Sequence, residues 1–129
     1  MSHIKPKLYF SKTYNPGKNL GYEEWMMANI EEDEVVFFLW QNEKTIVIGR
    51  NQNPWKECRL DIMKEDGIRL VRRISGGGAV YHDLGNLNFT FIAHEKNYDL
   101  EKQLNVIIQA LAKFGVHAEF SGRNDITVD

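Results

Sequence analysis

The stretch from Arg72 to Asp83, RRISGGGAVYHD, places two guanidinium groups just ahead of three consecutive glycines. Glycines in succession are costly in ordinary structure, because each loses more backbone freedom on folding than any other residue and adds no side chain to the packing. What such a run offers is close approach. With no Cβ in the way, successive main-chain N–H groups form a concavity that suits an anion. A guanidinium adds a planar fork that matches phosphate or carboxylate through paired, charge-assisted hydrogen bonds. Adjacent residues on a strand point to opposite faces, so one of Arg72 and Arg73 is expected to face the loop and the other solvent or a salt bridge. Ser75, Tyr81, His82, Asp83, Asn86 and Asn88 crowd the same bend with more hydrogen-bonding capacity than a turn requires. The combination suits a phosphate ester. Two plainer readings stay open: a glycine-rich bend between strands with exposed arginines, and for His82 a structural hydrogen bond in place of proton transfer.

The elements that must position this loop follow from periodicity. Lys7 to Ser11 reads as a short strand, and Tyr14-Asn15-Pro16-Gly17 as a turn. Asn19 offers a cap for a helix in which Leu20, Met27 and Ile30 recur at helical spacing, and the acidic run Glu31 to Glu34 marks its exit into solvent. VVFFLW, Val35 to Trp40, is expected to form a strand buried on both faces, and TIVI, Thr45 to Ile48, follows across a polar connection short enough for a hairpin. Pro54 is placed to open a helix carrying Cys58, Leu60, Ile62 and Met63, which Gly67 closes. Ile68 to Arg73 reads as a strand running into the glycines, and Asn86 to Ile92 as a strand with Leu87, Phe89 and Phe91 on one apolar face. The glycines therefore join two strands. Neither GxGxxG nor GxxxxGK[ST] fits, because both need a helix straight after the glycines.

Asp99 caps the clearest helix, with Leu100, Leu104, Ile107, Ile108 and Leu111 in one stripe and Gly115 beyond its end. Val116, Ala118 and Phe120 alternate as a further strand, and Ser121 to Asp125 turns the chain toward Ile126-Thr127-Val128. Strand pairs with helices inserted between them, without strict βαβ alternation, indicate an α/β fold of the α+β type: a mixed, largely antiparallel sheet flanked by helices.

The totals bound the function. A length of 129 residues, 43% apolar and 12% aromatic, suits a single domain with a real core. A net charge of -2 gives no general field for nucleic acid or an anionic membrane, so neither is an expected partner. No run approaches a membrane span or a signal peptide, which makes the cytoplasm the default compartment. One cysteine, Cys58, excludes an internal disulfide and forms no compact ligand cluster with the four histidines.

Three ordered blocks, RRISGGGAVYHDLGNLNFTF from Arg72 to Phe91, FLWQNEKTIVIGRNQNPWKEC from Phe38 to Cys58 and SGRNDITV from Ser121 to Val128, resemble the motifs of lipoate-protein ligases. The resemblance covers nearly the whole chain. It implies the catalytic fold shared by biotin and lipoate ligases and class II aminoacyl-tRNA synthetases, with residues 1–129 as the N-terminal portion of a single catalytic domain. It also implies a two-step reaction. ATP and lipoate give lipoyl-adenylate and pyrophosphate, and the lipoyl group passes to a lysine of a lipoyl domain in an oxoacid dehydrogenase complex or of the glycine-cleavage H protein. A carboxylate attacking a negatively charged α-phosphate needs fixed donors and Mg²⁺ to offset the repulsion.

By the family's pattern Arg73, Ser75, Gly76, Gly77, Gly78, Ala79, Val80 and Tyr81 line the nucleotide and acyl-phosphate region, with His82 beside them. Trp40 walls the slot for the lipoyl tail. Asn124 and Asp125 match the family's Arg-Asn-Asp block, where an acidic residue could hold metal or orient a cation. By composition alone Trp40 reads equally as core, and Asn124-Asp125 as an Asx turn between strands. The family also carries a lysine shortly after that block, whereas this sequence ends at Asp129. Little adenylation by these residues alone, and an exposed apolar sheet edge, are the expectations. Two alternatives stand beside the ligase: an octanoyltransferase of the same superfamily, for which Cys58 is the only candidate nucleophile although a small buried thiol is the plainer reading, and a non-catalytic module that holds lipoyl domains or a nucleotide.

Overall fold

In the computed structural model, which describes residues 3–122 and 125–128, the chain begins with strand β1 (Lys5–Phe10) and helix α1 (Pro16–Asn29). The side chain of Asn15 accepts a hydrogen bond from the Lys18 N–H at 3.1 Å and caps α1, while Pro16 fills the first helical position, where no N–H is needed. The helix therefore starts one turn earlier than Asn19 suggested. Asn19 lies inside it and is fully buried.

Strand β2 (Glu34–Trp40) follows, then β3 (Thr45–Ile48), the short helices α2 (Pro54–Glu57) and α3 (Leu60–Glu65), and strands β4 (Arg69–Arg72), β5 (Val80–His82) and β6 (Asn88–Ala93). Pro54 opens α2 as expected, with Asn53 as its cap, but the helix breaks at Cys58, whose backbone is extended. Gly67, at φ 68°, ends α3.

These strands form two three-stranded sheets. In the first, β2 lies between β1, to which it is parallel, and β6, to which it is antiparallel. In the second, β3 lies between β4 in parallel and β5 in antiparallel register. The expected hairpin between β2 and β3 does not form, because the connection is drawn toward the start of α1: Asn19 Nδ2 donates to Gln41 O at 2.8 Å, and the Glu43 N–H donates to Tyr14 O at 2.9 Å. A strand fully buried on both faces was also expected for β2. Instead Val36, Phe38 and Trp40 are buried while Val35, Phe37 and Leu39 are half-buried, their face carrying an aromatic cluster in which the Phe37 and Phe91 rings lie 4.7 Å apart. The core is built on Val36, Phe38, Trp40, Val47, Ile48, Met63 and Ile92. Burying each of these large side chains stabilises the fold by about 1.5 to 3 kcal/mol.

On β6 the apolar alternation faces the less buried way. Leu87 and Phe89 are largely exposed, whereas Asn88, Thr90 and Ile92 share the side of Trp40, Phe38 and Val36, their register partners. Polar side chains thus enter the interior beside Trp40. That placement is the first sign of a site.

Residues 95–129 form a second unit, separate from residues 1–94. A 3₁₀ turn (Glu95–Asn97) leads to helix α4 (Leu100–Ala112), capped by Asp99, whose carboxylate accepts from the Lys102 N–H at 3.1 Å. Leu104 is buried on its apolar stripe, and Gly115 at φ 77° ends the final turn. Strands β7 (Ala118–Ser121) and β8 (Asp125–Val128) then pair in antiparallel. The α/β character and the predominance of antiparallel pairing agree with expectation, in three small sheets where one larger sheet was expected. Among the described residues no helix is long and apolar enough to cross a membrane.

Candidate functional site

The glycine loop arches over the end of β3. β4 delivers the chain at Arg72, opposite Ile48, and β5 takes it back at Val80, opposite Val47. Two backbone bonds tie the loop down: the Arg73 N–H donates to Ile48 O at 3.0 Å, and the Arg50 N–H to Ser75 O at 2.9 Å. Gly77, at φ 102°, occupies the region that L side chains rarely adopt.

Of the two arginines only Arg73 serves the loop, as the strand geometry required. Its Nη2 donates to Gly76 O and Gly78 O, both at 2.8 Å, and its Nε to Gly76 O at 3.2 Å. Arg72 turns the other way and is exposed, as expected for the second arginine, while its Nη1 donates to Gln52 O at 2.7 Å, Arg50 O at 3.0 Å and Gly49 O at 3.3 Å. It therefore fixes the segment that underlies the loop. With the carbonyls of Gly76 and Gly78 claimed by Arg73, the N–H groups of Ser75, Gly76, Gly77 and Gly78 have no hydrogen-bond acceptor among the described residues. Hydrogen-bonding polarity along the loop is thus one-sided.

β5 carries the next group. Side chains alternate along it, so Val80 and His82 share the face of Val47 and Thr45, while Tyr81 lies on the opposite face and is half-exposed. The His82 ring meets the edge of Trp40 with centroids 5.9 Å apart. Its Nδ1 lies 3.1 Å from Nδ2 of Asn42, whose Oδ1 accepts from Asn19 Nδ2 at 3.0 Å. Burial, and then the positive charge of Arg73, hold the His82 pKa below its usual 6.5. Trp40 has a polar tether of its own. The indole Nε1–H donates to Thr90 Oγ1 at 3.0 Å, and the Thr90 hydroxyl donates to Glu23 Oε2 at 2.7 Å.

Arg73, the loop residues Ser75, Gly76, Gly77, Gly78 and Ala79, the strand residues Val80 and His82, and Trp40 are thus brought into one region of the first unit. Tyr81 belongs to the same strand but to its other face. Asn124 lies outside the described residues, and Asp125 opens β8 in the second unit, exposed and opposite Ser121. Cys58 is half-buried at the end of α2. The residues that sequence reasoning missed are Asn19, Asn42, Glu23, Thr90 and Gly49. For Asn19 a signal existed: Asn15 directly before Pro16 marks the cap, which leaves Asn19 as a poor helix former inside a helix. A groove of about 630 Å³ lined by Glu43, Lys44, Gly67, Asp83, Leu84 and Gly85 contains none of the loop's donors, so it is not the anion site.

Fold and loop together place the chain in a class. Residues 15–129 match the family model described as the lipoyl protein ligase A/B catalytic domain, and the chain belongs to that family. It is 49% identical over 124 residues to the lipoate-protein ligase A of Bdellovibrio bacteriovorus, covering 96% of this chain and 37% of that protein. The structure of P. falciparum LipL1 in complex with lipoate matches with a TM-score of 0.86 at 38% identity, over 97% of this chain and 41% of that one. A bi-partite lipoate protein ligase from Thermoplasma acidophilum, described with its E2 lipoyl domain, matches at 0.79 and 28% identity, over 99% and 52% of the two chains. A lipoate-protein ligase A bound with ATP matches at 0.77 and 29%, over 98% and 53%. The chain spans about 37% of the length of the curated relatives it matches.

Proposed function

We propose that this site activates lipoate with ATP and serves the transfer of the lipoyl group to a lysine of an acceptor protein. In the first step a lipoate carboxylate oxygen attacks the α-phosphorus of ATP and the bond to the β-phosphate bridge breaks, releasing pyrophosphate. In the second the lysine amine attacks the acyl carbon, the bond from that carbon to the phosphate oxygen breaks, AMP departs with the electron pair, and the amine gives up a proton to solvent. Both steps concentrate negative charge on phosphoryl oxygens, so the protein's task is to supply fixed donors where that charge gathers. The observation that carries the reading is the one-sided loop: Arg73 binds the carbonyls of Gly76 and Gly78, and the amides from Ser75 to Gly78 are without acceptors among the described residues. An anion complements that arrangement, and a cation does not.

The remaining roles are proposed on the family's pattern. Trp40, buried and tethered through Thr90, walls the lipoyl tail, and His82 packs against Trp40 within reach of the Arg73 charge. In this reading Mg²⁺ enters with ATP, on its phosphates. Asn124 and Asp125 are proposed to orient a cation or metal at the nucleotide. Residues 1–129 form the N-terminal portion of one catalytic domain. The proposed acceptors are lipoyl domains of oxoacid dehydrogenase complexes and the glycine-cleavage H protein, in the cytoplasm.

Calorimetric titration with a non-hydrolysable sulfamoyl analogue of lipoyl-adenylate tests the reading. Binding by the wild type, and its loss in Gly77→Val, is the expected result. A wild-type protein that ignores the analogue, or a loop variant that binds it unchanged, overturns the assignment.

A further inference from the structure

The hydrogen bonds between α1 and β5 can be given a direction atom by atom. Asn19 Nδ2 faces Gln41 O at 2.8 Å, Asn42 Oδ1 at 3.0 Å and Thr13 O at 3.1 Å, while Asn19 Oδ1 receives the Ser11 hydroxyl. Two of those three oxygens are main-chain carbonyls, which only accept, so this end of Asn19 is its NH₂. Its partner on Asn42 must then be the amide oxygen. The NH₂ of Asn42 is left facing Nδ1 of His82 at 3.1 Å. A ring nitrogen that faces a donor has to accept, so Nδ1 carries the lone pair and the proton of neutral His82 sits on Nε2.

The arrangement resists inversion. Asn19 and Asn42 are both fully buried, and turning the Asn42 amide over would set NH₂ against NH₂. Protonating His82 would bring an N–H against the same NH₂, beside the charge of Arg73. Nε2, by contrast, has no hydrogen-bond partner among the described residues.

Resting on the ligase reading above, we infer that Asn42, itself held by Asn19, is a positioning residue that fixes His82 as the Nε2–H tautomer, so that His82 offers the bound acid a hydrogen-bond donor and not a base. This agrees with the chemistry of the first step. Lipoate is already a carboxylate at neutral pH and has no proton to lose, whereas its oxygens and the acyl phosphate formed from them need donors. The chain from Ser11 through Asn19 and Asn42 thus sets the polarity of a group it reaches from the far side of the ring.

Two-bond ¹H–¹⁵N correlation spectra of histidine-labelled protein, with the His82 signals assigned through His82→Gln, test the inference directly. The wild type is expected to show a protonated Nε2 and an unprotonated Nδ1 at pH 7. Asn42→Asp keeps an acceptor for Asn19 but replaces the donor at Nδ1 with a carboxylate, so the proton should move to Nδ1 or be held on both nitrogens. The analogue should then bind about tenfold more weakly or worse. A merely structural asparagine would lower stability without moving the proton. Wild-type protein with Nδ1–H, or Asn42→Asp protein with an unchanged His82 spectrum, overturns the inference. The wild-type spectrum decides the tautomer even if the variant fails to fold. Failure of the wild type to bind the analogue would instead sink the ligase reading, with the tautomer still decided by the spectra.

Discussion

Gly49 and Gly77 pack backbone to backbone. A Cβ on Gly49 would collide with the carbonyl oxygen of Gly77 and stand 3.0 Å from its carbonyl carbon and 3.2 Å from its nitrogen. The end of β3 and the crest of the glycine loop are therefore one packing unit: Gly49 is required by the backbone of Gly77, and Gly77 by its φ of 102° and by Arg73 Nη2, 2.8 Å from where its Cβ would stand. Gly49→Ala is expected to destabilise the protein by on the order of 1 to 3 kcal/mol, as overpacking against backbone does, and to displace the loop. Gly76→Ala and Gly78→Ala, where a Cβ meets nothing within 4 Å, should change stability little. Urea unfolding of the three variants checks the contrast.

Arg73 holds the loop by shape as well as charge. Its planar fork reaches Gly76 O and Gly78 O together, which an ammonium on a flexible stem does not reproduce. Arg73→Lys should cost on the order of 1 kcal/mol in stability and weaken the adenylate analogue by about tenfold or more, although the charge is kept. Calorimetry of variant and wild type at one ionic strength reads both effects.

The depressed pKa of His82 sets a direction for acid sensitivity. Between the usual 6.5 and the lower folded-state value the unfolded chain binds more protons at this site, so stability falls as the pH falls through that window. Above 6.5 the contribution is complete and flat. Thermal melts from pH 7.5 down to about 5 should show the decline in the wild type and a shallower one in His82→Gln. Glu34, whose carboxyl is held below its usual 4.5 chiefly by the hydrogen bond from Lys7, adds its own loss at more acid pH.

Thr90 links the Trp40 indole to the Glu23 carboxylate. Thr90→Val keeps the volume but removes the acceptor for Nε1–H and the donor to the carboxylate, which should cost about 1 to 2 kcal/mol. Trp25 and Trp55 are exposed, at 65% and 78%, so a change in the blue-shifted part of the tryptophan emission would report Trp40. Unchanged emission together with unchanged stability would contradict the tether.

The glycine loop was legible in the sequence because its chemistry is local: composition and spacing alone placed it between two strands, with one arginine facing it. The supports beneath it were not. Asn42 sits in a polar connection indistinguishable from any loop, and it acts across 23 residues to Asn19 and 40 to His82. The same long range misdirected the hairpin expected between β2 and β3, since nothing in that connection records that Asn19 will claim it. On β6 the alternation was visible, but periodicity cannot say which face lies inward. A half-buried Thr90 on the inward face becomes favourable only when Trp40 Nε1 and Glu23, 50 and 67 residues away, complete its bonds.

Both feet of the glycine arch stand on the same strand, β4 in parallel and β5 in antiparallel register with β3. Between the feet, the bonds from the Arg73 N–H to Ile48 O and from the Arg50 N–H to Ser75 O hold the span against the strand end. Its amides are ordered when the protein folds, and no further entropy is lost in arranging them around a visitor. On the ligase reading, an acid therefore meets donors already set in place, and binding it draws on no ordering of this loop.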